Sequence, residues 1–179
     1  MGRAFVRQAI VDWLAPPAVA GLNTVYSTPP KWGPGEDFFA GAAAGTESGA
    51  ITFVHLEEQK RTRIAWQGSQ PGGKMSIFTV GLGFRFVSNA ETSQDAQADH
   101  DAILDALVVR LEADKQLGTG PSTANPTPAE QLFQAGEGEA PMGEDIHVTS
   151  DLPKQTRTQI VIWSLVRFVV VEYIAGGTA

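Results

Sequence analysis

Residues 68–88 read GSQPGGKMSIFTVGLGFRFVS. The first half has the spacing of a nucleotide-binding loop: Gly68, four residues, Gly73, Lys74. In a P-loop the backbone N–H groups cradle phosphates, the lysine reaches the outer phosphates, and an adjacent Ser or Thr holds Mg²⁺. The second half decides against that reading. Phe78, Val80, Leu82, Phe84 and Phe86 alternate with Thr79, Gly81, Gly83 and Arg85. Such a period of two marks a strand, whereas a P-loop runs into a helix whose N-terminus helps hold the phosphate. Met75 stands where the Mg²⁺ ligand belongs, and no apolar run ending in Asp follows as a second Mg²⁺-holding strand. The glycine-rich segment therefore reads as a turn between two antiparallel strands.

Upstream, AITFVHLE (50–57) and TRIAWQ (62–67) are strand-like, and EQKR (58–61) between them reads as a polar hairpin turn. Downstream, AETSQDAQADHDAILDALVVRLEADKQLG (90–118) is the clearest helix. Thr92 and Asp95 form a capping-box pattern. Ile103, Leu104, Leu107, Val108 and Leu111 make the apolar stripe. Lys115 falls in the expected last turn, and Gly118 takes the position after the helix end.

A second helix is expected over residues 3–14, with Phe5, Ala9, Ile10, Trp13 and Leu14 on one face and Arg3, Arg7 and Asp12 off it. Pro16 and Pro17 end it. NTVYS (23–27) is a short strand, and the rest of 21–49 is turn-rich. Residues 118–130 read as a loop, 130–143 hold at most one short helical turn, and 144–156 offer a short strand followed by a turn. The longest apolar run, Ile160–Ile174, is too short to cross a bilayer and is interrupted by Arg167 and Glu172. It reads as a long strand starting near Gln159, buried on both faces near its middle. Residues 175–179 read as a frayed end.

The 179 residues favour a single domain, 1–179. Gly and Pro account for 30 of them, so loops are long. The absence of cysteine excludes disulfides, thiolate zinc sites and a cysteine nucleophile. Three histidines, His55, His100 and His147, leave little for a histidine-rich metal site. The net charge of −7 argues against gripping a phosphate backbone, where affinity comes from Lys and Arg displacing counterions. The opening stretch, MGRAFVRQAIVDWLAPP, has no continuous apolar core of a signal peptide and lacks the Ser or Thr of a myristoylation signal.

The remaining candidate chemistry is sparse. Asp101 and Asp105 share a helical face, with Asp99 and His100 close by, an arrangement that reads as a solvated surface before a cation site. Asp145 and His147 share a strand face but have no nucleophile motif near them. Ser48 and Ser76 have no identifiable base. Trp32 is a large apolar residue in a loop, tucked onto the core or held for a partner. Arg85 and Arg167 interrupt two long apolar strands. They pair with a carboxylate such as Glu172 or Asp12, face water, or meet a neighbouring subunit.

Several stretches resemble the tail terminator (tail completion) proteins of long-tailed bacteriophages. These are VRQAIVDWL (6–14), GLNTVYSTPP (21–30), DFF (37–39), GGKMSIFTVGLGFRFVSNAE (72–91), DHDAILDALVVRLEADKQLGT (99–119), LFQAGEGE (132–139) and VIWSLVRFVVVEYI (161–174). The resemblance implies an α+β fold: an antiparallel or mixed sheet of about four strands, with helices packed on one face and long Gly/Pro-rich loops. It implies a homohexameric ring that caps the tail tube, stops its polymerisation and offers a joining surface to the head-side connector. It implies no chemistry, and so no catalytic, metal or cofactor residue. The partners would be other copies of the chain, the tail tube protein and a head–tail connector or stopper, with DNA passing through the pore unbound and no membrane. The protein would sit in the virion tail or neck after assembly in the host cytoplasm. A connector or stopper ring is the runner-up, and a nucleotide enzyme built on Gly68–Lys74 and a binding module for an apolar ligand stand behind it.

For such a ring the candidate inter-subunit or ring-to-ring contacts are Lys31, Trp32, Phe38, Phe39, Arg85 and Arg167, with the 29–49 and 118–143 loops bridging neighbours. Six copies would carry about −42, six times −7, and an acidic lumen would let DNA slide. The candidate lumen residues are Glu137, Glu139, Glu144 and Asp145, together with the helix segment 95–105.

Overall fold

Three long strands carry the molecule, and their pairing follows from the alternation at 74–88. In the computed structural model the described residues are 2–15, 18–30, 48–63, 74–89, 92–119, 130–135, 146–156 and 159–174. They form helix α1 (Arg3–Leu14), strands β1 (Leu22–Tyr26), β2 (Ser48–Arg63) and β3 (Lys74–Ser88), helix α2 (Ser93–Ala113), and strands β4 (Glu130–Ala135), β5 (His147–Ser150), β6 (Lys154–Gln155) and β7 (Ile160–Ile174).

β2 pairs antiparallel with β3 from Ser48↔Ser88 to Arg63↔Lys74. β3 pairs antiparallel with β7 from Ser88↔Ile160 to Lys74↔Ile174. β1 lies parallel to β2, which makes the sheet mixed. Lys74 thus opens a strand, and the glycine-rich segment before it joins two antiparallel strands; the strand-to-helix setting of a P-loop is not there.

Two expectations about strands need correction. Residues 58–61 do not turn: β2 runs through them, opposite Thr79 to Ser76 of β3. Polar residues in a strand are tolerated where pairing continues. The irregularity the sequence hinted at is a register shift between Leu56 and Glu58, a β-bulge.

The second correction is the strand count. Among the described residues the sheet has seven strands rather than about four. The outer edge of β7 is covered end to end by three short pieces: β6 at residues 160–161, β5 at 164–167 and β4 at 169–174. Of the stretch 130–143, expected to hold at most one short helical turn, residues 130–135 form strand β4, and 136–143 lie outside the described residues. Pieces this short carry little periodic signal of their own, and the long edge they pair with decides their state. Short strands also blunt an edge that would otherwise invite aggregation.

The core lies on one face of the sheet. Alternation places Phe78, Val80, Leu82, Phe84 and Phe86 of β3 there, beside Ala50, Val54 and Leu56 of β2 and Ile162, Val166, Phe168 and Val170 of β7. Both helices pack on this face, α1 through Val6, Ile10, Trp13 and Leu14, and α2 through Ala96, Ile103, Leu104, Leu107 and Leu111. Phe78, Phe84 and Phe86 are wholly buried, and each contributes about 1.5–3 kcal/mol of transfer free energy.

The ends of α2 show one match and one difference. Thr92 is the N-cap, its hydroxyl oxygen accepting from the Asp95 N–H at 3.1 Å. The helix stops at Ala113, earlier than Gly118, and Arg110 rather than Lys115 occupies its last turn. The cause is Asp114, whose carboxylate accepts from the N–H groups of Gln116 at 2.9 Å and Gly118 at 2.8 Å. A local side-chain cap of this kind competes with the helix ladder. It holds Leu117 and Gly118 at φ 49° and 72°.

Candidate interaction surface

The second face of the sheet carries the two predicted arginines. β2 places Ile51, Phe53 and Glu57 there, β3 places Gly81, Gly83 and Arg85, and β7 places Trp163, Leu165 and Arg167. The glycines make room for neighbours. The Phe53 ring occupies the space that a Cβ on Gly83 would need. A Cβ on Gly81 would stand 3.0 Å from Glu57 Oε1 and 3.2 Å from Leu165 Cδ1. Gly81 and Gly83 therefore leave a shallow trough that side chains of β2 and β7 cross.

Arg167 donates from Nε to Glu57 Oε1 at 2.9 Å, across β3. Of the readings for Arg167, pairing with a carboxylate holds, but the carboxylate is Glu57 rather than Glu172 or Asp12. Glu172 is five residues along β7, so strand alternation puts it on the opposite, helix-covered face, where it is 1% exposed. Asp12 belongs to α1 and accepts instead from Gln8 Nε2 at 2.8 Å. Arg85 lies over the Trp163 ring, 5.1 Å from its centroid, a cation–π contact. Arg85 and Arg167 thus share a face but stand one at each end of the trough, opposite Trp163 and Gly81 respectively. Half-buried aromatic rings with arginines among them are the composition of protein–protein contacts.

The other site candidates fall elsewhere. Lys31, Trp32, Phe38, Phe39, Glu137, Glu139, Glu144 and Asp145 lie outside the described residues, as do 31–47 of the 29–49 loop and 120–129 and 136–143 of the 118–143 loop. His147 is exposed on β5. Ser48 donates to Asp99 Oδ2 at 2.9 Å, which ties the start of β2 to α2. Asp105 is exposed, and among the described residues there is no group of three His, Cys, Asp or Glu side chains placed to hold a metal ion.

A buried polar chain was not foreseen. His100 is fully buried between α2 and the sheet, edge-on to Phe84 and Phe86 with ring centroids 5.5 and 5.7 Å away. Its Nδ1 lies 2.8 Å from Asp101 Oδ1, and its Nε2 lies 2.8 Å from Ser164 Oγ. Ser164 Oγ in turn lies 2.8 Å from Ser150 Oγ of β5. An ionised carboxylate only accepts, so Nδ1 carries the proton in the neutral ring. Nε2 then accepts from Ser164, and Ser164 accepts from Ser150. The order Asp–His–Ser is that of a hydrolase triad, but Ser164 is 5% exposed and sits under a helix. The chain ties α2, β7 and β5 together. The sequence did carry a signal for it: residues 96, 100, 103, 104, 107 and 111 form one helical stripe, and His100 stands in that stripe, whereas Val108 is only half-buried.

No protein-family model and no curated protein sequence matches this chain. Among the described residues, no helix is long and apolar enough to cross a membrane.

Proposed function

We propose that this chain is a structural virion protein, a tail terminator that assembles as a ring on the end of a phage tail tube, stops its growth and presents the head-joining surface. The observation that carries the reading is the two-sided sheet. Both helices close one face, while the other keeps Phe53, Trp163 and Leu165 half-buried among Arg85, Arg167 and Glu57. Such a face suits a second protein chain better than a small substrate. The resemblance of segments along nearly the whole sequence supplies the kind of assembly.

Charge supports the pore. Asp95, Asp99, Asp101 and Asp105 are all exposed on α2. A ring that turned this helix inward would offer DNA a like-charged wall and no counterion-release binding.

The test is the mass of the purified chain by light scattering, alone and with its tail tube protein. A particle near six copies, or a ring that forms only on the tube, is the expected result. A monomer that ignores the tube would sink the proposal. Binding to a portal-side adaptor in place of the tube would move the chain to the connector or stopper role.

A further inference from the structure

Where the C-terminal ends of the two helices meet, the molecule carries an open groove of about 680 Å³. Phe5, Ala9, Trp13 and Leu117 give it apolar walls, and Arg110 and Asp12 are its charges. The walls are firmly built. Trp13 packs on Gly118, where a Cβ would lie 2.9 Å from its Cδ1, and Asp114 holds the turn that carries Leu117 and Gly118. The Arg110 guanidinium lies over the Trp13 ring, 4.5 Å from its centroid.

The two charges are not equally occupied. Asp12 accepts from Gln8 within its own helix. Arg110 spends Nη2 on the Trp13 carbonyl at 3.4 Å, its Nε is buried without an acceptor, and among the described residues no carboxylate pairs with it. A buried guanidinium nitrogen left without an acceptor is costly. The groove therefore matches an occupant that brings a carboxylate beside a large apolar side chain.

The sequence contains one run of two carboxylates followed by two aromatic residues, Glu36–Asp37–Phe38–Phe39. We propose that this groove receives that stretch from a second copy of the chain, with a carboxylate on Arg110 and a phenylalanine against Trp13 and Leu117. The stretch lies outside the described residues, and only its sequence bears on the proposal. It rests on the ring reading above and names the contact through which neighbours would join head to tail.

The probe is a capped synthetic peptide of residues 33–42, GPGEDFFAGA, titrated into the full chain by calorimetry. Saturable binding is expected, weakened about tenfold or more by Arg110→Gln, as for a buried interfacial charge. Peptides with Glu36→Gln and Asp37→Asn, or with Phe38→Ala and Phe39→Ala, should lose binding without touching the fold of the receptor. In the full chain, Arg110→Gln should lower the assembled mass seen by light scattering. Arg110→Glu combined with Glu36→Lys and Asp37→Lys should restore it. If the peptide does not bind and Arg110→Gln still assembles fully, the groove inference is overturned and the ring reading stands. If the peptide binds through Arg110 but the chain stays monomeric with and without tube protein, the ring reading falls. The second copy falls with it, and the groove then belongs to the chain's own stretch.

Discussion

The two faces of the sheet are built from the same three strands, yet they obey different rules. On the covered face most side chains are apolar, and the polar exceptions Thr52, Ser76, Ser88, Ser164 and Glu172 are buried. Thr52 donates to the Gly83 carbonyl at 3.0 Å, and Ser164 sits in the His100 chain. On the other face Gly81 and Gly83 precede Arg85 along β3, and the Phe53 ring fills the space that a Cβ on Gly83 would need. The first face is specified by exclusion of water. The second is specified by shape and charge. Substitutions that separate the two faces test this contrast.

The largest effect belongs to the covered face. Phe84 is wholly buried and touches the His100 ring edge-on. Phe84→Ala should cost about 3–5 kcal/mol, the transfer term plus the cavity left behind. Chemical denaturation followed by circular dichroism reads this directly. A loss below about 1 kcal/mol would mean that this face is not the folding core.

The next test crosses to the second face. Gly83→Val places methyl groups where the Phe53 ring lies. Because Phe53 is only half-buried, its ring has room to swing outward. The cost should be about 1–3 kcal/mol, the range for overpacking. Adding Phe53→Ala should recover most of it, and a double-mutant cycle measures the coupling. If the two substitutions simply add, the ring and the glycine do not form the unit described here.

A third prediction concerns the polar chain through the covered face. Ser164→Ala would leave His100 Nε2 buried without a partner, costing about 1–3 kcal/mol. Ser150→Ala should cost less, because Ser150 is exposed and water replaces its contact. Equal losses for the two would show that β5 depends on the hydroxyl as much as His100 does. A hydrolase reading of Asp101, His100 and Ser164 predicts covalent labelling of Ser164 by a fluorophosphonate; a packed tie predicts none.

The sequence made the long elements legible and left the contacts between them obscure, for physical reasons. The alternation from Phe78 to Phe86 and the repeat from Ile103 to Leu111 are local, so both predicted their elements. The continuity of β2 through Glu58–Arg61 is not local: it depends on β3 offering partners along the whole length. β4 and β6 are legible only once β7 is known to have an edge, whereas β5 falls within the short strand expected in 144–156. At the sites, Arg85 and Arg167 stood out as charges in apolar strands. Their partners did not, since Glu57 is 110 residues from Arg167 and meets it across an intervening strand. His100 was read as one of a group of exposed acidic neighbours because Asp99 and Asp101 flank it. Its place in the buried stripe with Ala96 lies beyond the apolar stripe read from Ile103 to Leu111.

The smallest stability effect is also the sharpest test of the contrast. Arg167 and Glu57 form an ion pair whose side chains are 50% and 26% exposed. In an isolated chain a pair this wet is worth about 0–1 kcal/mol, so Arg167→Ala should barely shift the unfolding midpoint. If the second face is an interface, the same substitution leaves a carboxylate unpaired as water is excluded, and assembly should weaken by about 2 kcal/mol or more. Thermal denaturation of the monomer and light scattering of the assembly therefore report different quantities from one variant. A large loss in both would make Arg167 part of the fold; a large loss in assembly alone would mark the face as a contact between chains. No change in either would return it to the status of a solvated surface, and the second face of the sheet would no longer argue for a partner. Arg85, whose guanidinium lies over the Trp163 ring, supplies the control. Its replacement by Lys keeps the charge but loses the flat stacking surface. On an interface that variant should also weaken assembly, whereas on a solvated face Lys serves as well as Arg.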